Sequence, residues 1–375
     1  MLCSGGVYST KNRAKSFRVR ITRYSLRRAA RVGDPSSAPW HTPAFITTDF
    51  FLPRPIHSKS DRFSDTVVLP NNDTRSPTMS SSVTDEYQQY KDICSTAATS
   101  DAAFAVFKRQ PAYRSVLEHV SFNDGLRYLT CVRRTFPAVL DRMDAIAEND
   151  VYGAPELHAI KELDGRLMSP TTLRYCKVAA DVCALFHRSG GLSHAAIVEI
   201  GGGYGGQCKV LFDILPHIAS YTFYDLPEVL NLNRAYLARF AHSVPPSALR
   251  FENGRVIARD ADASRSSCDL VLSNYALSEC SDATIDFYTH KVLATARRGY
   301  LTINHFLSGD RRSRFLDALK ALHSDVIIRE ETPSTSTDGI LVTWGEEQGE
   351  SVASSIALAP VRETHISCRT VDRHA

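Results

Sequence analysis

Residues 195–206 read Ala195-Ala196-Ile197-Val198-Glu199-Ile200-Gly201-Gly202-Gly203-Tyr204-Gly205-Gly206, and the choice of fold turns on them. A short apolar run ends in a cluster of glycines, and residues 207–215 continue with the apolar spacing of a helix. Glycines between a strand and a helix permit a tight turn with positive φ and let a ligand approach the backbone closely. In an open parallel sheet such a turn stands at the carboxyl end of its strand, where ligands bind. Two patterns overlap on it. Gly201, Gly203 and Gly206 fit G-x-G-x-x-G, in which a helix N-terminus faces a pyrophosphate. Glu199, Gly201, Gly203 and Gly205 fit E-x-G-x-G-x-G. Asp225 lies 20 residues beyond Gly205, at the end of the next apolar run, where a carboxylate can accept from both hydroxyls of a ribose.

Outward from this loop the chain alternates strand and helix. Residues 221–224 read as a strand, 228–240 as an amphipathic helix, 255–258 and 270–273 as strands and 285–296 as a helix. Residues 300–303 form a further strand and 311–323 a further helix. The runs 326–329 and 340–344 have only a Pro/Ser/Thr/Asp-Gly turn between them and are predicted to pair antiparallel. Alternation of this kind implies an α/β fold, a Rossmann-like, mostly parallel sheet covered on both faces and finished by an antiparallel hairpin. Before the glycines the pattern is helical. Tyr113, Val116, Leu117 and Val120 recur at helical spacing, as do Phe136, Val139, Leu140, Met143 and Ile146. A helix over 171–187 follows Ser169-Pro170, a cap with an early proline. The resulting division is a basic leader and Pro/Ser-rich linker over 1–83, a helical N-terminal domain over 84–190, the α/β domain over 191–345 and a polar tail over 346–375.

Composition narrows the function classes. Of 375 residues, 43% are hydrophobic and 23% charged, which is ordinary for a globular chain. Residues 1–90 carry 13 Lys/Arg against 7 Asp/Glu, and the other 285 carry 31 against 34. The folded part therefore presents no basic excess, and neither a nucleic-acid nor a membrane partner is expected. Nine cysteines without a C-x-x-C pair argue against a zinc site or a disulfide framework and for a reducing, intracellular compartment. Nine Lys/Arg and no acid in the first 31 residues match a transit peptide, which would direct the protein to a mitochondrion or plastid rather than the cytoplasm. The alternatives are a disordered basic tail or a start at Met79.

The E-x-G-x-G-x-G loop resembles the first motif of S-adenosylmethionine (SAM) methyltransferases of class I. An acid ahead of the glycines would repel pyrophosphate but suits a cationic amino acid and sulfonium. The run Tyr224-Asp225-Leu226-Pro227-Glu228 resembles the aspartate-leucine-proline segment of many O-methyltransferases. Three further segments resemble the sugar O-methyltransferase family: Asn149-Asp150 with Gly153 and Pro155, 169–175 (SPTTLRY) and 273–279 (SNYALSE). The resemblance spans about residues 100–345. It implies SAM as cofactor and a small-molecule hydroxyl acceptor, a saccharide or glycoside. It also implies a cofactor site of Glu199, Gly201, Gly203, Gly205, Asp225 and Leu226, with Asp262 or its neighbour Asp260 at the adenine and Asn274 at the next strand end.

Methyl transfer to a hydroxyl calls for alignment and for a base. Two candidates stand at strand ends: Glu279, and His305, whose intrinsic pKa suits the task better. Arg174 and Tyr175, from the helical segment, are placed to close over the cofactor carboxylate or the acceptor. No metal cluster is evident. The competing readings are an NAD(P)-dependent oxidoreductase on the same sheet and a catalytically inactive methyltransferase-like binding module.

Overall fold

The alternation after residue 191 becomes a seven-stranded sheet in the computed structural model, which describes residues 81–187, 190–215, 217–254, 267–334 and 338–347. Its strands are β3 (Ala196–Ile200), β4 (Ser220–Asp225), β5 (Leu249–Asn253), β6 (Leu270–Asn274), β7 (Gly299–Ile303), β8 (Ile327–Glu330) and β9 (Ile340–Trp344). They lie in the order β5-β4-β3-β6-β7-β9-β8. The first five are mutually parallel. β9 slots antiparallel between β7 and β8, the hairpin expected from the helix-free turn. The chain therefore steps outward from β3 to β4 and β5, then returns to β6 on the other side of β3. That reversal opens a crevice at the carboxyl end of β3, where the glycine loop stands.

Right-handed crossovers in opposite directions place their helices on opposite faces. α7 (Gly206–Ile214) and α8 (Pro227–Leu237) cover one face, and α9 (Asp282–Lys291) and α10 (Gly309–Leu322) cover the other. The period-two alternation of strand side chains feeds both. Leu270, Leu272, Tyr300 and Leu341 join the core under α7 and α8, while Val271, Leu301, Val342 and Trp344 join the core under α9 and α10.

The segment before the sheet supplies α1 (Ser81–Thr99), α2 (Asp101–Phe104), α3 (Pro111–Val116), α4 (Phe122–Thr135), α5 (Met143–Ala147) and α6 (Pro170–Phe186). α6 starts as predicted: the Ser169 hydroxyl accepts from the Thr172 N–H and Pro170 occupies the first turn. It is buried almost all round because it lies between α4 and α7. A small hairpin, β1 (His158–Ile160) with β2 (Arg166–Met168), precedes it and was not predicted. One hydrophobic cluster runs without interruption from Tyr90 and Phe104 through Leu173 and Cys176 to Ile197 and Tyr221, so these helices and the first face of the sheet share a core.

The strand beside β4 is one that the sequence reading did not expect. It is Leu249–Asn253, paired along Tyr221–Asp225, and the run 255–258 lies outside the described residues, as do the basic leader through residue 80 and the tail from 348. Among the described residues no helix is long and apolar enough to cross a membrane.

Gly299 shows how tightly the second face closes. A Cβ there would run into the ring of Trp344, its register partner on β9, whose indole N–H donates to the Ala296 carbonyl at 3.0 Å. Gly299→Ala should therefore destabilise the fold by about 1–3 kcal/mol through overpacking. A lowered urea midpoint with an unchanged slope would register it.

Candidate functional site

The loop after β3 takes the shape that its glycines allow. Gly201, Gly203 and Gly205 have φ of +79°, +53° and +94°. Gly201 needs its missing side chain as well, since a Cβ there would collide with Ala276, just past the end of β6. The backbone of Gly201 thus lies directly against the Ala276 methyl group.

A loop so rich in glycine has little of its own to hold it, and the restraint comes from Tyr204. Its ring is fully buried. It packs edge-on against Tyr236 (centroids 4.7 Å apart), Phe107 (5.8 Å) and Tyr175 (6.0 Å), with the Lys108 ammonium 4.1 Å from its centroid. Asn149 Nδ2 donates to the Tyr204 hydroxyl at 3.2 Å and to Thr172 Oγ1 at 2.8 Å. The Tyr236 hydroxyl donates to Asn149 Oδ1 at 2.7 Å. Asp150 accepts from the Ser169 N–H and hydroxyl and from the Thr172 hydroxyl, at 2.7–2.8 Å. Three stretches far apart in sequence, Asn149-Asp150, 169–175 and the glycine loop, meet in one network. Asn233 of α8 adds a bond to the Gly203 carbonyl at 3.3 Å.

The two sequence-predicted acids stand on either side of this loop. Glu199 is buried beneath it, its carboxyl accepting from the Tyr221 hydroxyl at 2.9 Å and lying 3.2 Å from where a Gly202 Cβ would be. Burial pushes its pKa up to about 8, against the opposing bond from Tyr221. It props the turn from below. Asp225 ends β4 at the crevice. Its Oδ2 accepts from the Gly203 N–H at 3.3 Å and its Oδ1 from the Leu226 N–H at 2.7 Å, and burial pushes its pKa up to about 7. Leu226 is buried and starts α8. Asn274 ends β6, with Thr302 facing it at 3.5 Å. Asp260 and Asp262 lie outside the described residues.

The two candidate bases occupy adjoining turns, after β6 and after β7. The Ser278 hydroxyl ties those turns together by accepting from the Asn304 N–H at 3.2 Å. Burial pushes Glu279 up to about 7, with the Asn304 side chain working the other way. The His305 ring lies 4.3 Å from that of Phe306, and its buried Nδ1 has no partner. Arg311 and Arg312 fix this loop by donating to the carbonyls of Phe306 and Asn304, at 3.1 and 3.0 Å.

Sequence reasoning missed part of the wall. Tyr275, in the left-handed region at φ +67°, donates its hydroxyl to Glu331, which follows β8 and is only 3% exposed. Glu118, in the α3–α4 loop, is bonded by Thr171 on one side, and its Oε1 is left without a partner. Neither acid belongs to a local motif, so only the tertiary fold reveals them. Among the described residues Gln207 Oε1 and Glu331 Oε2 are likewise buried and without a partner. These orphans gather round the strand ends, where a bound molecule would complete them.

No family model matches the chain, and no curated protein matches it. Solved structures that resemble it include the methyltransferase domain of a bacterial Hen1 protein (8% identity, 40% of this chain and 89% of that one, TM-score 0.33). Mitomycin 7-O-methyltransferase is another (18% identity, 46% and 55%, TM-score 0.30). Human N-acetylserotonin methyltransferase in complex with SAM is a third (16% identity, 48% and 55%, TM-score 0.29). This chain covers just over half of the last two. The functional reading rests on the geometry above, not on these likenesses.

The raised pKa of Glu199 has a measurable consequence. A carboxyl that holds its proton more tightly in the folded state stabilises the fold fully below its unfolded pKa, near 4.5, and that contribution is lost as pH rises through about 8. Asp225 acts in the same direction up to about 7. Glu199→Gln keeps an acceptor for Tyr221 and has no proton to lose. It should match the wild type near pH 5 and exceed it by about 2–4 kcal/mol near pH 9. Urea titrations across that range test this, and an unaltered pH slope in the variant would rule it out.

Proposed function

We propose that the chain is a SAM-dependent O-methyltransferase whose acceptor is a small molecule with a hydroxyl group, a saccharide or glycoside. The observation that carries this reading is the pairing of the E-x-G-x-G-x-G loop with Asp225. The carboxylate is braced on the backbone N–H groups of Leu226, Gly203 and Gly202, and its remaining acceptor capacity suits a ribose hydroxyl. The start of α7 supports SAM over a dinucleotide. A Cβ on Gly206 would lie 2.6–2.7 Å from the rings of Tyr175 and Tyr204, so aromatic side chains pack against the turn where a pyrophosphate would need open backbone. The unpartnered acceptors Glu118, Gln207 and Glu331 also suit a ligand that brings positive charge and hydrogen-bond donors rather than phosphates.

The cofactor supplies an electrophilic methyl group on a sulfonium. This chain's residues have to hold the nucleoside, align the acceptor oxygen and remove its proton. Asp225 and the loop hold the nucleoside. Glu279 and His305 are the candidates to take the proton: Glu279 is raised toward neutrality by burial, and among the described residues the buried His305 Nδ1 has no partner. The polar and aromatic wall of Tyr275 and Glu331 supports an acceptor with several hydroxyls, and the sugar assignment itself rests on the family resemblance.

Calorimetry on the full chain tests the cofactor. SAM is expected to bind at micromolar Kd, about −8 kcal/mol, with NADH giving no heat, and Asp225→Ala is expected to weaken SAM about tenfold or more. Binding of NADH instead of SAM would overturn the reading. The base is tested by the pH profile of kcat/KM over a panel of methyl glycosides. With Glu279 as base, activity falls as pH drops below about 7, and Glu279→Gln removes that limb and lowers kcat about 10²–10⁴-fold. If the limb survives in Glu279→Gln and disappears in His305→Asn, the base is His305.

A further inference from the structure

Arg174 is a buried cation with little to bond to. Its side chain projects from the first turns of α6 and is 8% exposed. Its one hydrogen bond among the described residues is to the Leu117 carbonyl, at a long 3.4 Å. None of the ion pairs among the described residues involves it. The rings of Tyr175 and Tyr275 flank the guanidinium, with centroids 5.7 and 6.0 Å away. A guanidinium has five donors in a fixed fork, and among the described residues it is answered by the Leu117 carbonyl and by the charge of Glu118.

Its position says what completes it. Leu117, whose carbonyl Arg174 holds, lies against Gly203: a Cβ there would be 2.9 Å from Leu117 Cδ1. Tyr175, the next residue on α6, packs on Gly206. Tyr275 directly follows Asn274 at the end of β6. Arg174 thus overhangs the crevice between the glycine loop and the end of β6. The next residue after Leu117 is Glu118, whose Oε1 has no partner among the described residues and whose carboxyl feels the charge of Lys108 first and of Arg174 after it. A carboxylate with one oxygen left over and a guanidinium with one long bond, side by side above a nucleoside loop, suit a zwitterion.

We infer that Arg174 and Glu118 read the amino-acid end of the cofactor, the guanidinium taking the α-carboxylate and the Glu118 carboxylate taking the α-ammonium. The inference rests on the SAM reading above and assigns one part of that ligand to residues outside the α/β sheet. It also gives the helical segment a role in binding. The cofactor would bridge the α3–α4 loop and α6 to the glycine loop and complete the polar groups of all three.

The test uses the full chain and three ligands: S-adenosyl-L-homocysteine, its decarboxylated analogue S-adenosyl-3-thiopropylamine, and its deaminated analogue S-adenosyl-4-thiobutyrate. Arg174→Met is expected to weaken S-adenosyl-L-homocysteine about 10- to 100-fold, as loss of a charge-assisted bond does, and to leave the decarboxylated analogue unchanged. Glu118→Gln should weaken the parent ligand comparably and leave the deaminated analogue unchanged. Each insensitive analogue doubles as proof that its variant is folded. Arg174→Lys keeps the charge without the fork and should fall between wild type and Arg174→Met, so the result does not hang on one variant. Equal weakening of parent and analogue, or no weakening, overturns the inference while leaving SAM as the cofactor. A wild type that binds none of the three overturns the cofactor reading and this inference together.

Discussion

Everything at the site depends on the burial of one side chain, Tyr204. Glycine loses more backbone freedom on folding than any other residue, so a loop with five glycines within six positions cannot hold a single shape by itself. Tyr204 is the exception in that run, and its ring is locked among Phe107, Tyr175 and Tyr236 while Asn149 bonds its hydroxyl. Asn149 is in turn held by Tyr236 and Thr172, and Thr172 by Asp150. A buried polar network with its members satisfied rigidifies what it touches. Here it transfers the rigidity of α6 and α8 to a backbone that has none. The same contact explains why the helical segment and the sheet share a core: the loop is formed by the sheet and held in shape by the helices.

Desolvation sets the electrostatics of the crevice. Burial is the largest influence on Glu199, Asp225 and Glu279, and each is raised toward or beyond neutrality. A crevice lined by carboxyls that are reluctant to ionise repels less than a formal count of charges suggests. It also responds to a positively charged ligand, which favours their ionised forms and so releases protons on binding. Glu199 and Asp225 divide the work that the sequence pattern assigns to both. Glu199, beneath the turn and bonded to Tyr221, holds the loop's shape. Asp225, at the end of β4, is bonded to the N–H groups of Gly203 and Leu226.

What could be read from the sequence was local. The strand–glycine–helix unit, Ser169 as the cap of α6, the end of β4 at Asp225 and the antiparallel finish all depend on residues within a few positions of one another. The strand at Leu249–Asn253 went unread for the same reason. Leu249 to Asn253 alternates apolar with charged residues, Leu249-Arg250-Phe251-Glu252, and is a weaker signal than the Val256-Ile257-Ala258 run that follows. Its identity is settled by pairing with β4, which no window along the chain contains. The β1–β2 hairpin was missed because strands of three residues have too little pattern to register. Glu118 and Glu331 acquire meaning only from residues many tens of positions away. Arg174 stood out in the sequence for its place in SPTTLRY, but its lack of a counter-charge is a property of the fold.

The two sides of the crevice are held in different ways, and this bears on how a methyl group would be delivered. The cofactor side is fixed by a deep network that runs through Asn149 and Asp150. The side carrying Glu279 and His305 is fixed by the Ser278–Asn304 bond and by Arg311 and Arg312, which reach back from the start of α10 to the carbonyls of Asn304, Phe306 and Cys280. In-line transfer requires the acceptor oxygen to be placed to within a few tenths of an ångström relative to the methyl. The two halves therefore need a common reference. They have one where Gly201 meets Ala276, a contact that admits no added atom between the loop after β3 and the turn after β6. A side chain at position 201 would push these turns apart and shift the proposed bases relative to the glycine loop. The steric demand for glycine at this position thus comes from registering the two halves of the site as well as from ligand access.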